Sequence, residues 1–269
     1  MMQYSFTRLL FFFFVYCFFG WCIESTYVSL HSKKLTNRGF MRGPVIPIYG
    51  CGAMTLLFAS APLLKWPVAV FFAGMVAASI LEYITGAVME AIFKVRYWDY
   101  STEKFNLNGY ICLWTSVCWG LLSLAMNYFV HKPVVALSNL FTERELQLIT
   151  QPLAVLFIID LTLSFKAAFD VRSVIVYAEK AKEEIRLLQK RMDVVLAYAG
   201  EDMETKKAEI TAGIDNLKRN ISDRFDDFAK DFYKRGAILG NPTLMSRKFK
   251  DTAESVKQYV SEKKSKRKE

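Results

Sequence analysis

Apolar residues fall in long unbroken runs over roughly the first two thirds of the chain. After that they recur only at helical spacing among charges. The run at 9–28, with Phe11 to Phe14 consecutive, has the length of about twenty residues that lets a helix cross a bilayer. Runs at 46–64 and 68–93, divided by the tight turn Lys65-Trp66-Pro67, and at 111–130 and 148–169 repeat the pattern. The last is the least apolar, since it contains Asp160 and Lys166. No A-x-A-like cleavage site follows the first run, and Glu24 interrupts its end, so it reads as a helix rather than a leader. The pattern predicts an all-α, polytopic membrane protein with five transmembrane helices in residues 1–170.

Beyond Val171 the periodicity changes. Ala181, Ile185, Leu188, Met192 and Val195 step by four and three, an apolar seam of coiled-coil type, and Gly200 interrupts it. Ile210, Ile214, Leu217, Ile221, Phe225, Phe228 and Phe232 resume it, and Gly236, Gly240, Asn241 and Pro242 end it. The predicted organisation is a transmembrane domain (1–170), cytoplasmic amphipathic helices (171–235), and a short helix with a basic tail (236–269). The two seam helices either fold back on each other or pair between protomers.

Charge sharpens this division. Of 35 Lys and Arg and 26 Asp and Glu, the part from Val171 onward holds 23 and 17. In the apolar part, Lys33, Lys34, Arg38 and Arg42 lie in the first connection, and Lys94, Arg96 and Lys104 in the third. With five spans these connections and the basic tail share one face. The positive-inside rule makes that face cytoplasmic and puts the N-terminus outside a plasma membrane. The terminal lysines suit solvent or anionic lipid, and no nucleic-acid reading motif accompanies them. Cys17, Cys22, Cys51, Cys112 and Cys118 lie in apolar segments without metal-ligand spacing, and His31 and His131 are expected in loops on opposite faces. No metal site and no cofactor is expected.

The candidate chemistry is carboxylate and guanidinium. Glu82 and Glu90 share one side of the third span, about 12 Å apart along the axis, with Gly86 between. Glu24 belongs to the end of the first span and Asp160 to the fifth. Charges at such depths cost several kcal/mol unless paired or hydrated, so they mark either function or an ion pair with Arg38, Arg42 or Arg96. Two polar, glycine-bearing segments border them: residues 37–50, with Asn37, Arg38, Gly39, Arg42 and Pro44, and residues 97–109, with Trp98, Asp99, Tyr100, Asn106 and Asn108. Together Glu24, Glu82, Glu90, Arg38, Arg42, Trp98, Asp99, Tyr100, Asn106 and Asn108 form the expected polar site or substrate path.

Asn37-Arg38-Gly39-Phe40-Met41-Arg42-Gly43-Pro44, Pro47-Ile48-Tyr49-Gly50, Glu82-Tyr83-Ile84-Thr85-Gly86 with Glu90, Trp98-Asp99-Tyr100-Ser101 and Asn106-Leu107-Asn108-Gly109 together resemble the bacterial family called putative ABC-transporter type IV, or putative ABC transporter permease of CmpB type. Asn241-Pro242-Thr243-Leu244-Met245-Ser246 resembles that family's tail, with Asn where Phe is frequent. The resemblance implies a transporter membrane subunit. No G-x-x-x-x-G-K-[ST] phosphate loop occurs, so ATP hydrolysis would need a separate nucleotide-binding ATPase subunit, and five spans would call for a homo-oligomer. Catalysis in this chain is left open, with the balance against it. Two alternatives come from other classes. One is a membrane-embedded enzyme acting on a lipid or isoprenoid phosphate, with Glu82 or Glu90 as acid/base and Arg38 and Arg42 on the phosphate. The other is a scaffold that organises partners through its helical tail.

Overall fold

The computed structural model describes residues 4–33, 35, 37–94, 96–197 and 203–235. Its elements are α1 (Phe6–Ser32), α2 (Pro47–Ser60) with a 3-10 turn Ala61–Leu63, α3 (Pro67–Phe93), a two-residue antiparallel pair β1 (Asn106–Leu107) and β2 (Ile111–Cys112), α4 (Leu113–Ala125), a π-helical segment Met126–Val130, α5 (His131–Asn139), α6 (Glu143–Ala197) and α7 (Met203–Arg235). Phe6–His31, Pro67–Phe93, Leu113–Asn139 and Glu143–Val194 are long and apolar enough to cross a membrane, and Pro47–Leu63 is a shorter apolar helix. The chain is an all-α membrane protein.

It divides into two compact units. In the first, residues 4–92 and 96–165, α3 shows how the helices sort their faces. Phe72, Val76, Ile80, Ile84 and Val88 point outward at a spacing of four, while Ala78, Ser79 and Glu82 are buried. An exposed apolar stripe opposite a buried polar one is the reverse of a water-soluble helix, and hydrocarbon covers it. Inside, Phe11, Phe12, Tyr16, Ala53, Leu56, Leu57, Met126, Val134 and Leu146 form the core. Lipid gives helices no hydrophobic reason to associate, so close packing and polar pairs hold them. A Cβ on Gly20 would strike Tyr49, one on Gly50 would strike Cys17, and one on Gly120 would strike Phe71. Ser79 donates to Ser116 at 2.8 Å, and Ser60 and Ser123 bond at 3.0 Å.

One expected boundary changes, and it has a cause. The run read as ending at Val130 continues to Asn139, so His131 lies within a helix rather than a loop. Pro133 would clash with the carbonyl of Phe129 in a regular α-helix. Just before it the backbone widens to π spacing, with the His131 amide bonded to the Met126 carbonyl. His131 is then buried, bonded by the hydroxyls of Tyr4 at 3.2 Å and Tyr16 at 2.7 Å. His31 likewise belongs to the last turn of α1, stacked on Tyr27.

The bounds of α2 and its 3-10 turn keep to the expected run 46–64. The chain between α1 and α2 does not stay beyond the helix ends. It turns back along α1 until the Ile46 amide reaches the Cys17 carbonyl at 3.1 Å, about 22 Å before the end of α1 at 1.5 Å per residue. α2 with its 3-10 turn is the shorter apolar helix, and this re-entrant segment precedes it alongside α1.

The second unit holds residues 93–94 and 166–235, and is a helical hairpin. Ala167, Val171, Val174, Ala178 and Ala181 are buried along α6, and Ile214 along α7, with Ile185, Leu188, Met192, Ile210, Leu217 and Ile221 half-buried. Leu188 lies 3.5 Å from a Cβ placed on Gly213, and the Arg224 guanidinium sits 4.1 Å over the Tyr177 ring. From the first contact to the second, α6 runs back and α7 runs forward by the same number of residues, so both belong to one antiparallel register. The seam closes within the chain. The side chains of Phe225, Phe228 and Phe232, together with Gly200, the 236–269 tail and its Asn241–Ser246 motif, lie outside the described residues.

Candidate functional site

The re-entrant segment is held by α1 on one side and α6 on another. Trp21 Nε1 donates to Asn37 Oδ1 at 2.5 Å, and Asn37 Nδ2 donates to the Arg42 carbonyl at 2.6 Å. The Arg38 amide donates to Ser25 Oγ, and Arg38 Nε pairs with Glu24 at 3.1 Å. From α6, Asp160 accepts the amides of Arg42 at 3.2 Å and Gly43 at 2.8 Å. Irregular backbone survives at bilayer depth only where protein satisfies it, and Asp160 does so here. Gly39, with φ of 142°, takes a turn closed to other residues. Replacing Asp160 by alanine orphans two amides, so the amides of Arg42 and Gly43 should exchange hydrogen at least tenfold faster while α3 amides keep their protection. Hydrogen exchange with mass spectrometry measures both.

The connection after α3 packs down at Gly86. A Cβ there would stand 3.0 Å from the Tyr110 ring and 3.3 Å from Trp98. Asn108 and Gly109, both at positive φ, form the tight turn of the β1–β2 pair, as Asn-Gly favours. Asn106 braces the same loop, donating to the Ser101 and Glu103 carbonyls and accepting the Gly109 amide. Asn108 Nδ2 reaches the Tyr83 hydroxyl at 2.9 Å, and Trp98 Nε1 the Tyr110 carbonyl at 2.9 Å. Phe40 meets Tyr97 edge-on at 5.6 Å, so the re-entrant segment and this connection touch at one end of the helices.

These loops deliver partners to each carboxylate. Glu24 takes Arg38 and the Tyr49 hydroxyl, the latter at 2.8 Å. Glu90 takes Arg96 and the Tyr110 hydroxyl, both at 2.7 Å, and Asp99 takes the same guanidinium at 3.0 Å. Glu82 differs. It is 6% exposed, and it accepts from Tyr100 Oη at 3.2 Å and Trp119 Nε1 at 2.9 Å, two neutral donors. Among the described residues no cation pairs with it. Burial first, and then the charge and hydrogen bond of Glu82, push the Tyr100 phenol above its usual range, so its hydroxyl stays protonated and donates. Burial alone does the same for Tyr97.

Glu24 with Arg38 and Glu82 with Tyr100 thus stand as two clusters, and Glu90, Arg96 and Asp99 as a third. Arg42 joins none of them: its Nε is buried without a hydrogen-bond partner. Asn106 and Asn108 shape the loop rather than face the carboxylates. Sequence reasoning missed Tyr49, Tyr110 and Trp119 as donors. For Tyr49 and Trp119 the signal was present, because a tyrosine or tryptophan inside an apolar helix carries a polar atom that needs a partner. Among the described residues, no three His, Cys, Asp or Glu side chains converge as a metal centre requires.

A family model described as putative ABC-transporter type IV matches residues 11–165, more than half of the chain and all three clusters. No curated protein and no solved structure matches the chain.

Proposed function

The chain belongs to the putative ABC-transporter type IV family, and on that footing we propose that it is the membrane subunit of a transporter whose path runs past Glu82. The observation that carries this is a carboxylate buried in a membrane helix, about 22 Å from the start of α3, held by two neutral donors and no cation. Ionisable groups kept at such depth without a counter-ion bind the proton or cationic group that moves. Glu24 with Arg38, and Glu90 with Arg96 and Asp99, flank the path as pre-paired charges. Arg42 and the Trp98-Asp99-Tyr100 loop gate its mouth.

The basic connections and the hairpin face the cytoplasm, and the N-terminus lies outside. With so few spans per chain the working unit is at least a dimer, and a separate nucleotide-binding subunit supplies ATP hydrolysis. Isolation in mild detergent should bring down a nucleotide-binding subunit with this chain. Recovery only as a lone homo-oligomer would remove that subunit from the reading. Arg42→Cys and Trp98→Cys should both react with an impermeant maleimide in inside-out membrane vesicles and not in intact cells, and reaction from opposite sides would end the gate.

One observation favours a second reading, an enzyme acting on a lipid or isoprenoid phosphate. Arg38 is already neutralised by Glu24, but Arg42 carries a guanidinium with a buried, unpartnered nitrogen. A phosphate would satisfy it. A bound lipid phosphate that leaves on Arg42→Gln would favour this reading over transport.

A further inference from the structure

A second feature lies away from the carboxylate path's charges. Between α1, α2, α4 and α5 a cavity of about 530 Å³ opens, within the range of about 300–1,000 Å³ typical of ligand sites. Its walls come from Tyr16 and Gly20 on α1, Tyr49 and Ala53 on α2, Trp119 on α4 and Val134 on α5. Phe19, Ile23, Leu122, Val130 and Leu137 also line it and are exposed, so it opens sideways on the apolar surface that faces the bilayer. The π-helical segment makes the recess: Met126 and Val130 line it where Pro133 forces the backbone wide.

What fills this space follows from its polar atoms, all of which are engaged. The Tyr16 hydroxyl bonds His131, the Tyr49 hydroxyl bonds Glu24, and the Trp119 indole bonds Glu82. A water molecule held in a cavity needs two to four polar partners, and this one offers none that is free. Left empty, the wall atoms forfeit their dispersion contacts. The fluid at the mouth is hydrocarbon.

We propose that this cavity is a binding site for one acyl chain of a bilayer phospholipid, which enters between α1 and α4–α5 and lies against the faces of Tyr49 and Trp119. Because those two rings orient Glu24 and Glu82, the chain sets the donor geometry of both carboxylates. The proposal requires only that the helices cross a bilayer, and it does not depend on the transport reading.

The test uses the full chain in liposomes of phosphatidylglycerol and phosphatidylethanolamine carrying a photoreactive diazirine midway along one acyl chain. Peptide mapping should place label on the α4–π segment around Trp119 to Met126. Leu122→Trp, which fills the cavity from its exposed rim, should cut that label at least fivefold. Label on the outward stripe of α3 at Phe72 and Val76 should stay unchanged. Val130→Trp, at another exposed lining position, provides an independent filled variant should Leu122→Trp not accumulate. Equal labelling of native and filled proteins would overturn the proposal. So would labelling there only by a photoreactive polyprenyl phosphate, or crosslinks joining the cavity to a second copy of the chain.

Discussion

Replacing Arg96 by methionine should cost about 3–5 kcal/mol of stability, the range for breaking a buried ion pair by removing one partner. The Arg96 side chain is 4% exposed and serves two carboxylates at once, Glu90 at 2.7 Å and Asp99 at 3.0 Å, while its guanidinium lies 4.5 Å over the Tyr110 ring. Methionine fills similar volume, so the loss is electrostatic rather than a cavity. Two acids are left at one end of α3 with only the Tyr110 hydroxyl and the Ser101 amide as donors. The sign of the effect is testable by removing the orphans. Adding Glu90→Gln and Asp99→Asn to Arg96→Met should recover most of the loss, since neutral side chains need no counter-charge. Thermal unfolding in detergent, followed by near-ultraviolet circular dichroism, reads both variants against the native protein. If Arg96→Met alone unfolds at the native temperature, the pair is not holding the loop to α3.

The apolar helices could be read from the sequence because hydropathy over some twenty residues is a local property. The ends of these helices could not, because they depend on contacts. Pro133 looks like a stop signal, yet a π-helical widening absorbs it and carries the helix on to Asn139. The glycines, arginines and proline in residues 37–46 mark irregular backbone bordering the polar site. Their course back to Cys17 depends on Asp160, more than a hundred positions away, and no window of sequence contains both. The carboxylates themselves stood out, since charge in an apolar run is conspicuous. Which cation served which acid was open: three arginines were available, and the fold uses Arg38 and Arg96 and leaves Arg42 aside. In the charged half the heptad pattern marks Ile210, Ile214, Leu217 and Ile221 as inward, and those residues are turned inward. The pattern alone allowed a partner helix from either the same chain or another copy, and only the Leu188–Gly213 and Tyr177–Arg224 contacts choose the former.

A strain whose only copy carries Glu82→Gln should behave like a strain lacking the protein, although the variant accumulates at native abundance. Both halves of that expectation follow from the geometry. The carboxylate accepts from Trp119 at one oxygen and Tyr100 at the other. Trp119 can only donate, so the glutamine oxygen must face it and the amide nitrogen must face Tyr100. The phenol can accept that N–H by rotating its own hydrogen, and because its ionisation is pushed upward it has a hydrogen to rotate at any physiological pH. The Trp119 bond keeps its sense, the Tyr100 bond reverses, and a buried ionisable group is removed, so stability should change by no more than about 1 kcal/mol. What the amide cannot do is take up and release a proton or balance a cation. Immunoblotting of membranes separates abundance from function, and growth relative to the deletion strain reads function. An active, abundant Glu82→Gln protein would leave the carboxylate a structural role only. If the same strain then failed on loss of the α6–α7 hairpin, the chain would be a scaffold.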